Sequence, residues 1–304
     1  MEEIKQKLVR GMSSEEYHGI QNIYSSSQLK DLLDDEEIFY RKYIAKTEEK
    51  QSIPAFDIGS YFHTAILEPH KLKDDTAVFE GIRRGEKWEK FKEENKNRAI
   101  ITATEVNTAE VLIHAVKNSP IAMNRIKRCE AEVSAFIDLV VFEGEIYCGN
   151  YRLAKYGWEN SEKQVKKKGT KIRVKARADA LAEDFILDLK STSGNAKSQF
   201  SMMRKVSEYS YDLSAALYLD IFSMATERTI TDFVWTFASK DMGNSKSYLA
   251  TQENIQIGRQ KWKKAIVKLA NCIETNWQFE DSLGMMPPNS WEKDILQTKG
   301  EDLL

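Results

Sequence analysis

The stretch from Val174 to Thr192 constrains this chain more than any other. It reads as two β-strands joined by a tight acidic turn. The second strand, Phe185 to Leu189, mixes aromatic and branched residues, the composition strands favour. Alternate side chains of a strand point to opposite faces. Phe185, Leu187 and Leu189 therefore face one way, and Ile186, Asp188 and Lys190 the other. Burial of the first set leaves a carboxylate and an ammonium side by side on a single face. The hairpin folds Asp179, near the end of the preceding strand, against them. Two carboxylates and a lysine are thus expected to converge at a sheet edge.

Those residue types suit one chemistry well. Mg²⁺ prefers oxygen ligands and is usually held by one or two carboxylates plus substrate phosphate. A bound divalent ion acidifies water and neutralises charge on phosphate oxygens. A lysine beside it orients or deprotonates the attacking water, or stabilises the pentavalent phosphorus. The hairpin is therefore equipped for phosphodiester hydrolysis.

Composition narrows the classes. The chain has 304 residues, 41% hydrophobic and 30% charged, with net charge −2. It is long enough to bury a proper core. Near-neutral charge means that nucleic-acid binding must be focal. Cys129, Cys148 and Cys272 lie far apart, against a disulfide scaffold, a zinc ribbon or a four-cysteine iron–sulfur cluster. No apolar run approaches the ~20 residues that span a bilayer. The start, Met1 to Lys5, lacks a signal peptide's apolar stretch. A cytoplasmic, non-membrane protein is expected.

Along the chain, Ser25 to Ser27 offer an N-cap for a helix carrying Leu29, Leu32 and Leu33. A second helical piece, Glu36 to Ala45, follows. Ala55 to Glu68 reads as a buried helix ended before Pro69, projecting His63, with Gly59 permitting close approach of another backbone. The charged run from Arg83 to Arg98 reads as a helix or loop pair. Thr104 to Val116 is an amphipathic helix. The sheet is expected to begin at Glu130 and turn at Glu143-Gly144-Glu145. Between Arg152 and Arg177 ten basic residues face only Glu159 and Glu162, with Tyr151, Tyr156 and Trp158 interleaved, a basic–aromatic patch of the kind that grips DNA. Phe200 to Phe222 reads as one helix with Tyr209, Leu213, Ala216, Leu217 and Ile221 as its core stripe. Ile230 to Ala238 and Tyr248 to Gln256 read as strands, and Ile257 to Phe279 as a long helix. Helices, then a sheet, then helices give one α/β domain over 1–304 with a mixed sheet. Its 1–125 part is mostly helical, 126–240 holds the sheet and hairpin, and 241–304 the last strand, helix and tail.

Laid out in order, these segments resemble the RecE-like (exodeoxyribonuclease VIII-type) branch of the PD-(D/E)XK nuclease superfamily, typical of phages and prophages. The resemblance rests on Tyr17-His18 with Ser25 to Lys30, Gly59 to His63 followed by Leu67-Glu68-Pro69, and Arg84 to Phe91. It continues through Glu132-Val133-Ser134, Lys175 to Leu181, Ile186 to Thr192, Tyr218 and Pro288 to Trp291. The ordered set runs almost end to end.

The resemblance implies a restriction-endonuclease-like mixed sheet flanked by helices, with extra N-terminal helices. It also implies a Mg²⁺- or Mn²⁺-dependent DNA exonuclease. In it Asp179 and Asp188 are metal carboxylates, Lys190 the catalytic lysine, His63 a further metal ligand, Glu132 a second-metal candidate and the Leu189 carbonyl a backbone ligand. Arg177, Thr192 and Tyr218 would meet DNA; apart from the resemblance, the basic stretch itself gives Lys166, Lys167 and Lys168 as expected DNA contacts. Double-stranded DNA ends, a single-strand annealing protein and a homo-oligomeric ring are the partners implied. Two features depart from the family: Ser214 stands where relatives carry glutamine, and the 141–171 segment is long. An endonuclease or single-strand nuclease on the same fold, or a non-catalytic DNA-binding protein reusing it, remains open on the sequence.

Overall fold

The computed structural model describes residues 7–48, 54–161 and 168–279. Strand β1 (Lys7–Val9) leads to helices α1 (Ser14–Gly19), α2 (Ser26–Asp34) and α3 (Glu36–Phe39), the last closing in a π-helical turn, Tyr40–Ile44. Local chemistry sets these starts. The Ser13 hydroxyl accepts from the Glu16 N–H while the Glu16 carboxylate accepts from the Ser13 N–H, a reciprocal capping box. The Ser25 N–H likewise donates to Gln28. Leu29 and Leu32 are fully buried, each contributing roughly 1.5–3 kcal/mol of burial.

Helix α4 (Pro54–Leu67) is followed by α5 (Leu72–Asp75), β2 (Thr76–Phe79), α6 (Glu86–Glu94), β3 (Ala99–Thr102), α7 (Ala103–Lys117) and α8 (Pro120–Ile126). The parallel pair β2–β3 was not expected from so charged a run. It is anchored by Phe79, whose ring meets Trp88 and Phe91 of α6. A second correction concerns Gly59, where a Cβ would meet nothing within 4 Å. The close helix contact lies instead at Gly258, where a Cβ would fall 1.9 Å from the Asp212 carbonyl oxygen.

The sheet strands are β4 (Glu130–Phe142), β5 (Glu145–Cys148), β6 (Tyr151–Leu153), β7 (Trp158–Asn160), β8 (Thr170–Leu181) and β9 (Phe185–Thr192). Helices α9 (Gln199–Glu208) and α10 (Tyr211–Thr226) then cross over to β10 (Asp232–Ser239), β11 (Ser245–Leu249) and α11 (Gln252–Glu274). The order is β11-β10-β9-β8-β4-β5-β6-β7, with β1 paired to β4. β9 and β10 run parallel along eight residues, as the long helical crossover requires, and the other pairs are antiparallel.

The expected hairpin is therefore present but lies in the sheet interior, not at its edge: β9 is flanked by β8 and β10. One sheet face packs on α2, α10 and α11 around Leu213, Leu217, Trp262 and Leu269. The opposite face packs on α4 and α7 around Phe62, Leu112, Leu187 and Leu189.

Two further expectations are corrected. The 200–222 helix is broken at Ser210, whose φ is +46°, and Tyr209 at the break is 48% exposed rather than in the core. The strand expected at 248–256 is β11 ending at Leu249, with α11 capped by the Thr251 hydroxyl. Among the described residues no helix is long and apolar enough to cross a membrane.

Candidate active site

Strands β8 and β9 pair at only two positions, Ala180↔Leu187 and Leu181↔Ile186, and then part. Farther along, the vacated edge of β8 is taken by the N-terminal segment. The Tyr24 N–H donates to the Arg173 carbonyl (3.0 Å) and the Lys175 N–H to the Tyr24 carbonyl (2.9 Å). The parting leaves a fork whose inner corner holds Asp179 and Asp188. Asp179 accepts from the Leu189 N–H at 2.7 Å, so a side chain stands where a strand partner would.

The alternation of β8 breaks at the same place. Ala176 and Ala178 pack into the main core, Ala180 into the opposite one, and Leu181 into the main core again. Across the β4–β8 ladder from Asp179 lies Glu132, whose φ of +51° is left-handed. A non-glycine residue costs roughly 1–2 kcal/mol there, and such strain persists only where surrounding structure over-determines it.

Helix α4 delivers His63 from the other side of the fork. Its Nε2 is 3.0 Å from the Leu189 carbonyl oxygen and its Nδ1 is 3.6 Å from Asp179 Oδ2. His63, Glu132 and Asp179 offer ligand atoms all within 4.8 Å of one another. Asp188 stands beside this trio with its Oδ1 accepting from Lys190 Nζ at 2.7 Å.

Charge in the fork is crowded. Burial, then Asp179, pushes the Glu132 carboxyl up to about 8, against the pull of Arg177. Burial raises Asp188 to about 6, with Asp179 adding to it and Lys190 opposing. Burial also works against the Lys190 ammonium, yet Asp188 and Asp179 hold it above the ordinary lysine value. Two carboxylates raised by burial and by the same third carboxylate mark a place where a cation relieves repulsion. Three carboxylates, one carbonyl and one imidazole match the donors a hard divalent ion takes. The residues present fit such an ion.

The other expected residues are placed differently. Arg177 is turned to the protein: it donates to Ser134 Oγ (2.9 Å) and to the carbonyls of Met12 and Ser13 (3.0 and 3.1 Å), and lies 3.9 Å from Glu132. Lys175 Nζ reaches the Tyr17 carbonyl at 2.6 Å, and both cations lie over the Tyr17 ring. The basic stretch is therefore not one patch. Two of its cations pin the N-terminal segment, while Arg173 pairs with Asp138 and Arg152 lies near Glu145 and Glu159. Thr192 is buried and donates to the Ser193 carbonyl. Tyr218 on α10 has its phenol pKa raised by burial and then by Asp188, and hydrogen bonds Ser26. Lys168 is exposed at the entry to β8. Lys166 and Lys167, like the Pro288 to Trp291 motif, lie outside the described residues.

Sequence reasoning missed Lys30 and Tyr211. Lys30 Nζ lies 5.4 Å and Lys190 Nζ 5.3 Å from the centroid of the same Tyr211 ring. Burial, then Lys190, lowers the Lys30 ammonium to about 8. The Ser25 to Lys30 motif was the available signal, since its lysine is not needed to form the helix.

Residues 25–280 match the profile of a PDDEXK-like domain of unknown function, DUF3799. A crystal structure of a candidate exonuclease from Eubacterium rectale aligns at 15% identity with a TM-score of 0.54, covering 91% of this chain and 97% of that one. That likeness is one of fold. The crystal structure of SSO0001 aligns at 14% identity over 67% of this chain and 85% of that one, with a TM-score of 0.23. No curated protein matches the sequence.

Proposed function

This chain belongs to the PDDEXK-like DUF3799 family, and so to the PD-(D/E)XK nuclease superfamily; from that premise we propose that it is a divalent-metal-dependent exonuclease acting on the ends of linear duplex DNA. The observation that carries this reading is the fork, where Asp179, Asp188, Lys190, His63 and the Leu189 carbonyl meet between two parting strands.

Asp179, Asp188, His63 and the Leu189 carbonyl would hold Mg²⁺ or Mn²⁺, with Glu132 positioned for a second ion. A divalent ion there supplies an acidified water and positive charge beside the phosphate oxygens. Lys190, kept charged by Asp188, acts as a donor rather than a base. It orients the attacking water and stabilises negative charge gathering on phosphorus. The water oxygen bonds to phosphorus as its proton passes to bulk water, the ester bond opposite breaks, and the departing oxygen takes a proton from bulk water. Arg177 holds Glu132 and the N-terminal segment in place. Tyr218 is assigned to the DNA-facing wall by its closeness to Asp188, whereas Thr192, buried and bonded to the Ser193 carbonyl, supports the end of β9 from within.

The RecE-like resemblance adds the finer reading. The strand would be removed 5′ to 3′, leaving a 3′ single strand for a phage-type annealing protein during recombination. A homo-oligomeric ring would serve processive digestion. Lys166, Lys167 and Lys168 would grip duplex phosphates, so charge reversal at all three should flatten the salt dependence of binding by up to about 2.7 in log–log slope.

End-labelled linear duplex and a covalently closed circle, each incubated with Mg²⁺, test the proposal. Loss of the linear DNA alone supports an exonuclease, and the label's position gives polarity. Cutting of the circle would replace it with an endonuclease, and no metal-dependent cleavage of either would leave a binding protein on this fold.

A further inference from the structure

Between α9 and α10 the left-handed Ser210 brings two rings together: Tyr209 stacks on Tyr211 with centroids 5.6 Å apart and planes 25° from parallel. Tyr211 lies at the fork, under Lys190 and Lys30. Tyr209 is exposed and has Lys205 Nζ 5.7 Å from its centroid. The result is a two-ring shelf running from the catalytic lysine to solvent, with cations at both ends.

Lys30 is the informative member. Its neighbouring carboxylates are already engaged, Asp188 by Lys190 at 2.7 Å and Asp212 by Lys261 at 2.7 and 2.9 Å. Among the described residues Lys30 has no ion-pair partner within 4.0 Å, and its contact is the Tyr211 ring. A half-buried ammonium without a counterion is costly, and this one shares the Tyr211 ring with Lys190 beside the fork. Interleaved cations and aromatic rings are the equipment for single-stranded nucleic acid, because only an unstacked base has a face free for a side-chain ring.

We propose that Lys30 and the Tyr211–Tyr209 shelf form a subsite for the frayed, single-stranded end of DNA, Lys30 taking the phosphate next to the scissile one and Tyr209 stacking a base of that strand. This rests on the nuclease reading and adds that the enzyme holds its end unpaired.

Full-length protein in EDTA, where no cleavage occurs, is titrated with a duplex bearing a short single-stranded end that carries 2-aminopurine. Wild type should quench the 2-aminopurine. Tyr209→Ala should abolish the quench and weaken binding at least about fivefold, and Tyr209→Trp should restore both. Lys30→Ala should reduce the salt slope by about 0.7, the share of one single-strand phosphate, whereas Lys30→Arg keeps it. No quench in wild type, or equal quench in Tyr209→Ala, overturns the stacking. An equal salt slope in well-folded Lys30→Ala overturns the phosphate contact. Failure of the nuclease reading looks different: wild type then binds and quenches but cleaves nothing when Mg²⁺ is added.

Discussion

Among the buried carboxylate–cation pairs of the described residues, those of Asp220 and Asp188 differ in what they leave open. Between α10 and α11, Asp220 is 3% exposed and accepts from Arg259 Nε and Nη2 at 2.8 and 2.7 Å and from Trp262 Nε1 at 3.0 Å. Its own carbonyl takes the Trp158 indole at 2.9 Å. At the fork, Asp188 is 7% exposed and accepts one bond, from Lys190, with Asp179 and Glu132 crowded beside it. Burial raises both aspartates' pKa values. Both carboxylate oxygens of Asp220 are bonded from within, so the pair fixes two helices. At the fork Asp188 accepts one bond where Asp220 accepts three, and its crowding with Asp179 and Glu132 suits it to a cation.

If that contrast holds, the two pairs should fail differently. Asp220→Ala leaves Arg259 buried and uncompensated, and should cost about 3–5 kcal/mol of stability, read as a lowered denaturant midpoint. Retention of the midpoint would show that the pair is not structural. Lys190→Ala should slow DNA cleavage roughly 10²–10³-fold with a smaller loss of denaturant midpoint, because the Asp188 left behind, already raised to about 6, can take up a proton where Arg259 cannot lose one.

Divalent ions sharpen the contrast. Mn²⁺ at about 100 times its dissociation constant should stabilise wild type by about 2.7 kcal/mol, seen as a raised Tm. Asp179→Asn should lose that rise, whereas the conservative Asp220→Asn should keep it at a lower starting Tm. Equal responses in both variants would place the ion elsewhere.

The smallest effect is that of pH. The Glu132 carboxyl titrates near 4.5 when unfolded and near 8 when folded, so between those values the folded chain binds more protons. Without divalent ions, stability should therefore fall as pH rises through that window. Glu132→Gln should flatten the fall by on the order of 1 kcal/mol, measured by denaturation in EDTA at pH 5 and pH 8. A wild-type stability that rises across the window would contradict the crowding.

Much of the site was legible because strand alternation is local. Asp188, Leu189 and Lys190 sort onto faces from their order alone, and the main core's Leu29, Leu213, Leu217 and Trp262 follow helical spacing. The β2–β3 pair was hidden because its short apolar runs flank a charged helix. Tyr209 was misread because one left-handed residue, Ser210, undoes a periodic pattern without altering it. Arg177 and Lys175 read as part of a basic patch, since sequence counts charge but does not say which way a strand side chain turns.

The sequence by itself determined the hairpin, the face on which its carboxylate and lysine sit, and the α/β class, because alternation and helical periodicity act over a few residues. Only the tertiary structure decided that β8 and β9 part after two ladder pairs, that His63 crosses 126 positions to the Leu189 carbonyl, and that Lys30 comes to share a ring with Lys190. Those meetings depend on how α2, α4 and α10 pack across the sheet, a balance of burial and chain closure that no local pattern carries.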